Sequence, residues 1–420
     1  MRSIRVAAVS SEYYRILSLD GGGTWALIQL RALMRLFGKQ ASGHDVLRAF
    51  DLVAANSGGA VVLGGMAVDL PLAKILEFFE VETQRMSVFR STAFEKFVDV
   101  VGHGKLPLPR YSTGAKYDGL LQHLGERGRV PLGSWRRSGS ELPDLLFTAF
   151  DYDTERAAFF RTNKESLAAS RTSSGPDDVT LVDAVHSSAN PPVLYFDGPT
   201  RVPHPHGSFR FWDGGVAGYN NPAMAATLEA LANGIERSVI RVLAIGTGTV
   251  RRPRRPADAA LDDPRFTGGQ APGVLGDLKE LAGAILDDPP DAASFHAHVS
   301  LGGALPTRPG EVVASGPVIR ANPVVGPTRE GSDWDWPLET LEPEQWARLT
   351  ELDLDAVAQK DVDLIGLFCD HWLAGKVFNQ PIRAGADLRA EVGHDTFPAA
   401  RMALEEWLPL EGADGASSPA

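Results

Sequence analysis

Apolar and polar positions follow two rhythms through the first 250 residues. Compact apolar runs read as strands: YRILSLD (14–20), FDLVAAN (50–56), DLLFTAFDYD (144–153), AAFFRT (157–162) and VIRVLAIGTG (239–248). Between them lie segments whose apolar residues recur three to four apart, as in LAKILEFFEVETQRM (72–86) and KYDGLLQHLGERG (116–128). Strands alternating with helices predict an α/β fold with a central, mainly parallel sheet between helices. After Val250 the pattern changes. Arg251–Pro290 is rich in Pro, Gly, Arg and Asp and reads as a surface excursion, with a lid as one use for it. HAHVSLGG (296–303) and GPVIRANPVV (316–325) look strand-like, which puts His296 and His298 on one strand face. Thr328–Leu341 is turn-rich and carries Trp334 and Trp336, placed either at a lipid interface or as anchors to the body. Helices are predicted over Leu354–Lys376 and Thr396–Trp407, and 411–420 reads as a disordered tail. No repeat and no linker divides the chain, so one domain over 12–410 is expected, with its core motifs in 15–250 and C-terminal strands and helices in 295–410.

Composition narrows the classes of function. The chain has 420 residues, 44% hydrophobic and 22% charged, enough for a sizeable core. A formal net charge of −12 argues against nucleic acid as a partner. The one dense basic cluster, Arg251, Arg252, Arg254 and Arg255, is interleaved with prolines and reads as a solvated loop. A single cysteine, Cys369, allows no internal disulfide and sits in an apolar-periodic helix, so a reducing, cytoplasmic setting is expected. No signal-like h-region is evident at the N-terminus, and no run approaches a membrane span. Peripheral membrane contact stays open; oligomeric state is not legible.

The first strand runs into Asp20-Gly21-Gly22-Gly23-Thr24. Glycines there let bare backbone N–H groups approach an anion, either a nucleotide phosphate or a transient oxyanion. The same DGGGT opens actin-like sugar kinases, in which a second strand follows. Here Leu27, Leu30, Leu33, Met34 and Phe37 are spaced for one helical face, with Gln29, Arg31 and Arg35 mostly elsewhere. The loop is therefore expected to open a helix, whose N-terminus favours negative charge.

Ser57 stands where the second strand becomes a small-residue helix, in Ala55-Asn56-Ser57-Gly58-Gly59. That pattern is close to the G-x-S-x-G nucleophile elbow, with Ala55 in place of the first glycine. A serine that merely caps the helix fits the motif equally well. A hydroxyl needs a base. His394 would complete a Ser–Asp–His order, and Asp213 in FRFWDGGVAGYNNPA offers a carboxylate before Gly214 and Gly215. Alone, Asp213 could be a turn aspartate.

Together, Asp20–Gly23, the Ser57 elbow and Asp213-Gly214-Gly215, in that order, resemble the patatin-like phospholipases, a family of lipid acyl hydrolases. DAVHSSANPPVLYF (183–196) and VLAIGTGT (242–249) support the likeness, which is strongest over Arg15–Val250. The resemblance implies a Ser57–Asp213 dyad without histidine. It also implies an oxyanion hole from Gly21, Gly22 and Gly23 with Gly58 as an extra donor, and Asp20, Ala55, Gly59, Gly214 and Gly215 as supporting residues. It further implies a lipid or acyl-ester substrate and no metal or organic cofactor. Two positions depart from the family. Its glycine loop usually continues x-Arg-Gly, where this chain has Trp25 and Ala26, which removes a charge that could meet a phosphate headgroup. Trp25 is expected either at an acyl-chain site or in the core. Ala55 would be strained if that position required positive φ, and an inactive lipid-binding protein is the corresponding alternative.

Overall fold

The computed structural model describes residues 12–90, 109–135, 142–163, 179–192, 195–204, 207–257, 259–260, 262–267, 292–308, 311–330, 333–337, 339–383, 391–408 and 410. Its strands are β1 (Tyr14–Leu19), β2 (Leu52–Ala55), β3 (Asp144–Asp151), β4 (Arg156–Arg161), β5 (Thr200–His204), β6 (Gly207–Asp213), β7 (Ile240–Ile245), β8 (Thr249–Val250), β9 (Val312–Val313), β10 (Val318–Ala321), β11 (Val324–Val325), β12 (Thr328–Glu330), β13 (Asp333–Asp335) and β14 (Glu391–Val392). Its helices are α1 (Leu27–Phe37), α2 (Gly43–Leu47), α3 (Ser57–Ala67), α4 (Leu72–Glu80), α5 (Glu82–Val88), α6 (Thr113–Leu124), α7 (Leu181–Ser188), α8 (Ala223–Ala232), α9 (292–300), α10 (Pro343–Glu351), α11 (Gln359–Leu373) and α12 (Phe397–Leu404).

Eight strands form one sheet in the order β10-β7-β1-β2-β3-β6-β5, with β4 also on β3. The five strands β10, β7, β1, β2 and β3 run parallel, and β4, β5 and β6 add antiparallel pairs. Strands buried on both faces read as continuous apolar runs, which is why YRILSL and LVAA lack polar alternation. Alternate residues still separate. Leu17, Leu19, Val53 and Ala55 face a core with α1, α3, α4, α7 and α11, while Ile16, Leu52, Ala54 and Val242 face one with α8 and α9. The result is the three-layer α/β architecture that the alternating pattern predicts.

Helix α3 is buried along its whole length. Its glycines permit this: a Cβ on Gly59 would lie 2.6 Å from the Leu19 carbonyl oxygen, so the helix rides directly on the end of β1. Thr180 and Thr396 cap α7 and α12, each accepting a backbone N–H three residues on.

Two expectations need correction, and a third alternative is resolved. His296 and His298 lie on helix α9, not on a strand; Ser294, Ala297 and His298 are its buried residues, and His296 is exposed. The short apolar run hid the helical period. Helix α11 starts at Gln359 rather than Leu354, because 353–355 is held elsewhere, as described below. Thr328–Leu341 contains a β12–β13 hairpin, and Trp336 is buried, stacked on Trp346 at 6.0 Å with 4° between the rings. Trp336 is thus an anchor to the body. Residues 268–290 of the surface excursion and the tail 411–420 lie outside the described residues. The part that is described is tied down: Thr267 N–H donates to the Pro253 carbonyl and the Arg265 guanidinium to that of Trp334. No helix among the described residues is long and apolar enough to cross a membrane.

Candidate active site

Strand β3 brings the two candidate side chains together. Along one edge β3 carries β4 over residues 146–151. Its other edge is shared: β2 pairs with residues 144–147 in parallel, and β6 with residues 149–151 antiparallel. The two strands therefore run head-on along one edge and stop on either side of Thr148. Ala55 ends β2 opposite Phe147; Asp213 ends β6 opposite Ala149. Ser57 and Asp213, 156 residues apart in sequence, project from facing strand ends.

The gap is filled by Asn56. Its Oδ1 accepts from the Thr148 hydroxyl at 2.7 Å, and its Nδ2 donates to Asp213 Oδ1 at 3.0 Å and to Asn220 Oδ1 at 3.2 Å. Asp213 Oδ1 also accepts the Gly215 N–H at 2.8 Å. Gly214 has to be glycine here, since a Cβ would meet Thr148 Oγ1 and Asn56 Oδ1 at 2.5 Å each. The Ser57 side chain also hydrogen-bonds to the Asp213 carboxylate. Burial raises the Asp213 pKa above the usual carboxylate range; the Gly215 N–H, Ser57, Asn56 and the Lys116 charge pull it back only in part.

Ser57 opens α3 with φ 49°, a conformation that costs a non-glycine residue about 1–3 kcal/mol. It is held there by its N–H, which donates to Ser188 Oγ at 3.1 Å. Ala55 is not among the positive-φ residues; it pairs within β2, so alanine fits without strain. The ground for expecting an inactive protein from that substitution is thus removed.

The glycine loop is followed by a 3-10 turn, Gly23–Ala26, and then α1, with no second strand. The actin-like kinase arrangement is thereby contradicted. Of the expected anion donors, Gly21 drops out, because its N–H is committed to the Asn220 carbonyl at 2.8 Å. The Gly22 and Gly23 N–H groups meet no acceptor among the described residues, and Gly58 lies in the first turn of α3, where N–H groups have no helical partner. Gly23 and Gly58 are in close approach, with a Cβ on Gly58 falling 2.5 Å from the Gly23 carbonyl oxygen.

Four side chains that sequence reading passed over brace the site, three of them on this loop. Gln29, placed by its spacing on the polar side of α1, is buried and donates to the carbonyls of Asp20 and Ile245 at 2.9 and 3.0 Å. Thr247 Oγ1 donates to the Gly21 carbonyl at 2.7 Å. Arg320 makes a buried ion pair with Asp20 at 2.6 Å. Asn56 is the fourth. An arginine inside the apolar run PVIRAN and a glutamine inside an apolar helix were the available signals. Breaking a buried pair leaves a charge uncompensated, so Arg320→Met is expected to cost about 3–5 kcal/mol of stability. Calorimetry checks this, and a wild-type unfolding profile would contradict it.

A cavity of about 590 Å³, counted with its open mouth, leads to Ser57. Gly23, Gly58, Val61, Phe78, Phe79, Val88, Phe89, Pro191, Phe196 and Leu354 give it an apolar wall, broken by Lys116, Tyr195 and Asp355. Trp25 is not part of the wall; it is buried edge-on against Phe368 and its Nε1 donates to the Asp353 carbonyl at 3.3 Å. One rim is the strap 353–355. The Leu354 carbonyl accepts the Thr24 N–H at 2.9 Å, Asp355 takes two hydrogen bonds from Arg110 and one from Tyr111, and Asp353 accepts from the Tyr195 hydroxyl. These contacts explain why α11 starts late. His394 is not in the cavity wall; its carbonyl accepts from Asn379 Nδ2. Cys369 is buried, and burial pushes its thiol pKa up, as expected for a core residue. Among the described residues no three His, Cys, Asp or Glu side chains converge as a metal-holding group.

Residues 17–227 match the patatin-like phospholipase family. Among curated proteins, the cGAMP-activated phospholipase of Pseudomonas aeruginosa (strain BWHPSA011 / Pa011) is 28% identical over 250 residues, covering 56% of this chain and 63% of that protein. The chain therefore spans less than two thirds of the length of this relative. Among solved structures, VipD from Legionella pneumophila aligns with a TM-score of 0.37 at 12% identity, over 86% of this chain and 67% of that one. With half of its length matched and a parallel sheet flanked by helices, the chain belongs to the patatin-like phospholipase family.

Proposed function

We propose that this chain is a serine acyl-ester hydrolase acting on lipids, with Ser57 as nucleophile and Asp213 as its base. The observation that carries the reading is the head-on meeting of β2 and β6 beneath an apolar cavity. It sets a strained serine beside a buried carboxylate of raised pKa. Both firmly held donors go to Asp213 Oδ1, which leaves Oδ2 to take the Ser57 proton. Ser57 Oγ then bonds to the acyl carbon, and the carbonyl π electrons move to oxygen. N–H groups of Gly23 and Gly58, with Gly22 beside them, receive that oxyanion; one such donor is worth about 3–4 kcal/mol in serine hydrolases. The ester C–O bond breaks as Asp213 returns the proton to the leaving alcohol. Water attacks the acyl-serine with Asp213 again accepting its proton, and Ser57 is restored as the acid departs.

The phenylalanine and valine wall fits an aliphatic chain. With Trp25 in the core and Arg110 committed to Asp355, no arginine among the described residues lines the cavity to meet a phosphate. Acyl-chain burial rather than headgroup charge is therefore the main source of binding. The test is free fatty acid release from mixed phospholipid vesicles. Because the matched relative is named as cGAMP-activated, it is run with and without cGAMP. Release in either arm that vanishes in Ser57→Ala supports the reading; equal release by both proteins contradicts it.

A further inference from the structure

We propose that Lys116 is a positioning residue: its buried side chain clamps the turn 188–190, which sets the separation of Ser57 and Asp213. The inference rests on the Ser–Asp reading above.

The turn touches both partners. Ser188 Oγ accepts the Ser57 N–H at 3.1 Å, and the Asn190 carbonyl accepts the Asp213 N–H at 3.0 Å. Lys116, reaching in from α6, ties this turn down. Nζ donates to the carbonyls of His186 and Ala189 at 3.0 and 2.7 Å and to Asn190 Oδ1 at 2.7 Å, and it lies 4.3 Å from the centre of the Phe196 ring. Three oxygens without hydrogens of their own require three N–H donors, which only the charged ammonium supplies. Arginine's planar fork does not fit three oxygens converging on one point. Lys116 is buried, yet it lines the same cavity as Ser57.

The clamp is also electrostatic. Burial pulls the Lys116 pKa well down and the charges of Asp213 and Asp197 oppose this; the three acceptor oxygens hold it as the ammonium, whose charge favours the ionised form of Asp213. The other titratable neighbours are His186 on α7, which burial and then Lys116 keep neutral, and Asp355 in the cavity wall, paired with Arg110.

The experiment uses the full chain and a p-nitrophenyl ester, comparing wild type with Lys116→Met, Asn190→Ala and the double variant. Lys116→Met is expected to lower kcat about 10–100-fold through misplacement while KM changes by less than about threefold. It should also move the acid limb of the kcat/KM profile upward, because ionised Asp213 loses its neighbouring cation. Asn190→Ala removes one of three acceptors and keeps the charge, so kcat falls about 3–10-fold with the limb unmoved. The double variant should match Lys116→Met alone. Wild-type kcat in either single variant, or an unmoved limb in Lys116→Met, overturns the proposal. If Lys116→Met does not fold, the kcat of Asn190→Ala decides alone. Ser57→Ala and Asp213→Asn are run alongside: activity surviving in Ser57→Ala defeats the dyad reading, whereas dead controls beside an intact Lys116→Met defeat only the clamp.

Discussion

Ser57→Ala is expected to lower kcat on any ester substrate by about a millionfold, the loss seen when a serine hydrolase keeps its oxyanion donors but not its nucleophile. The fold should survive the change. Alanine keeps the backbone at φ 49° no worse than serine does, and its N–H still donates to Ser188. Lipid binding in the apolar cavity should also survive, since Phe78, Phe79, Val88 and Phe196 are untouched. The variant therefore separates chemistry from binding. It is checked by steady-state kinetics together with a fluorescent fatty-ester binding titration. Turnover within tenfold of wild type would remove Ser57 from the mechanism, and lost binding would mean that the variant had collapsed the cavity.

Asp213→Asn should cost about 10³–10⁴-fold in kcat, the span for losing a well-placed general base. Asparagine can still accept the Gly215 and Asn56 hydrogens through its amide oxygen, so geometry is kept and basicity is lost. The pH dependence of the wild type follows from the same carboxylate. Asp213 accepts a proton only when ionised, and burial raises its pKa. Activity should therefore be full at neutral pH and fall as pH drops through a midpoint above the ordinary aspartate value of about 3.9. A limb at or below that value would mean that Asp213 is more solvated than its burial implies. His394→Ala should leave rate and profile unchanged, because its main chain serves Asn379 and its ring lies away from the cavity wall.

Much of this arrangement was legible in the chain. Continuous apolar runs gave away the buried parallel strands, and the three-to-four spacing after Gly23 ruled for a helix against a hairpin. Asp20–Gly23, Ser57 and Asp213 are local motifs, each readable within a few residues. Less was legible where the information is spread across the chain. Asn56 looks like filler inside the elbow; its role exists only because Thr148, Asp213 and Asn220 converge on it. Gln29 fitted the polar side of the helical pattern, yet it is buried against two carbonyls from other elements. The strap 353–355 read as the first turn of α11, since nothing local reveals that Thr24, Arg110, Tyr111 and Tyr195 compete for it. Histidines 296 and 298 were misread because a short run cannot distinguish a period of two from one of 3.6 when its flanks are small residues.

The most direct test is intact-mass and peptide analysis after brief exposure to a fluorophosphonate, following the rate of adduct formation. The account predicts one adduct, on Ser57, formed at the wild-type rate in His394→Ala, far more slowly in Asp213→Asn, and not at all in Ser57→Ala. An adduct on another residue, or labelling that needs His394 and ignores Asp213, would contradict it.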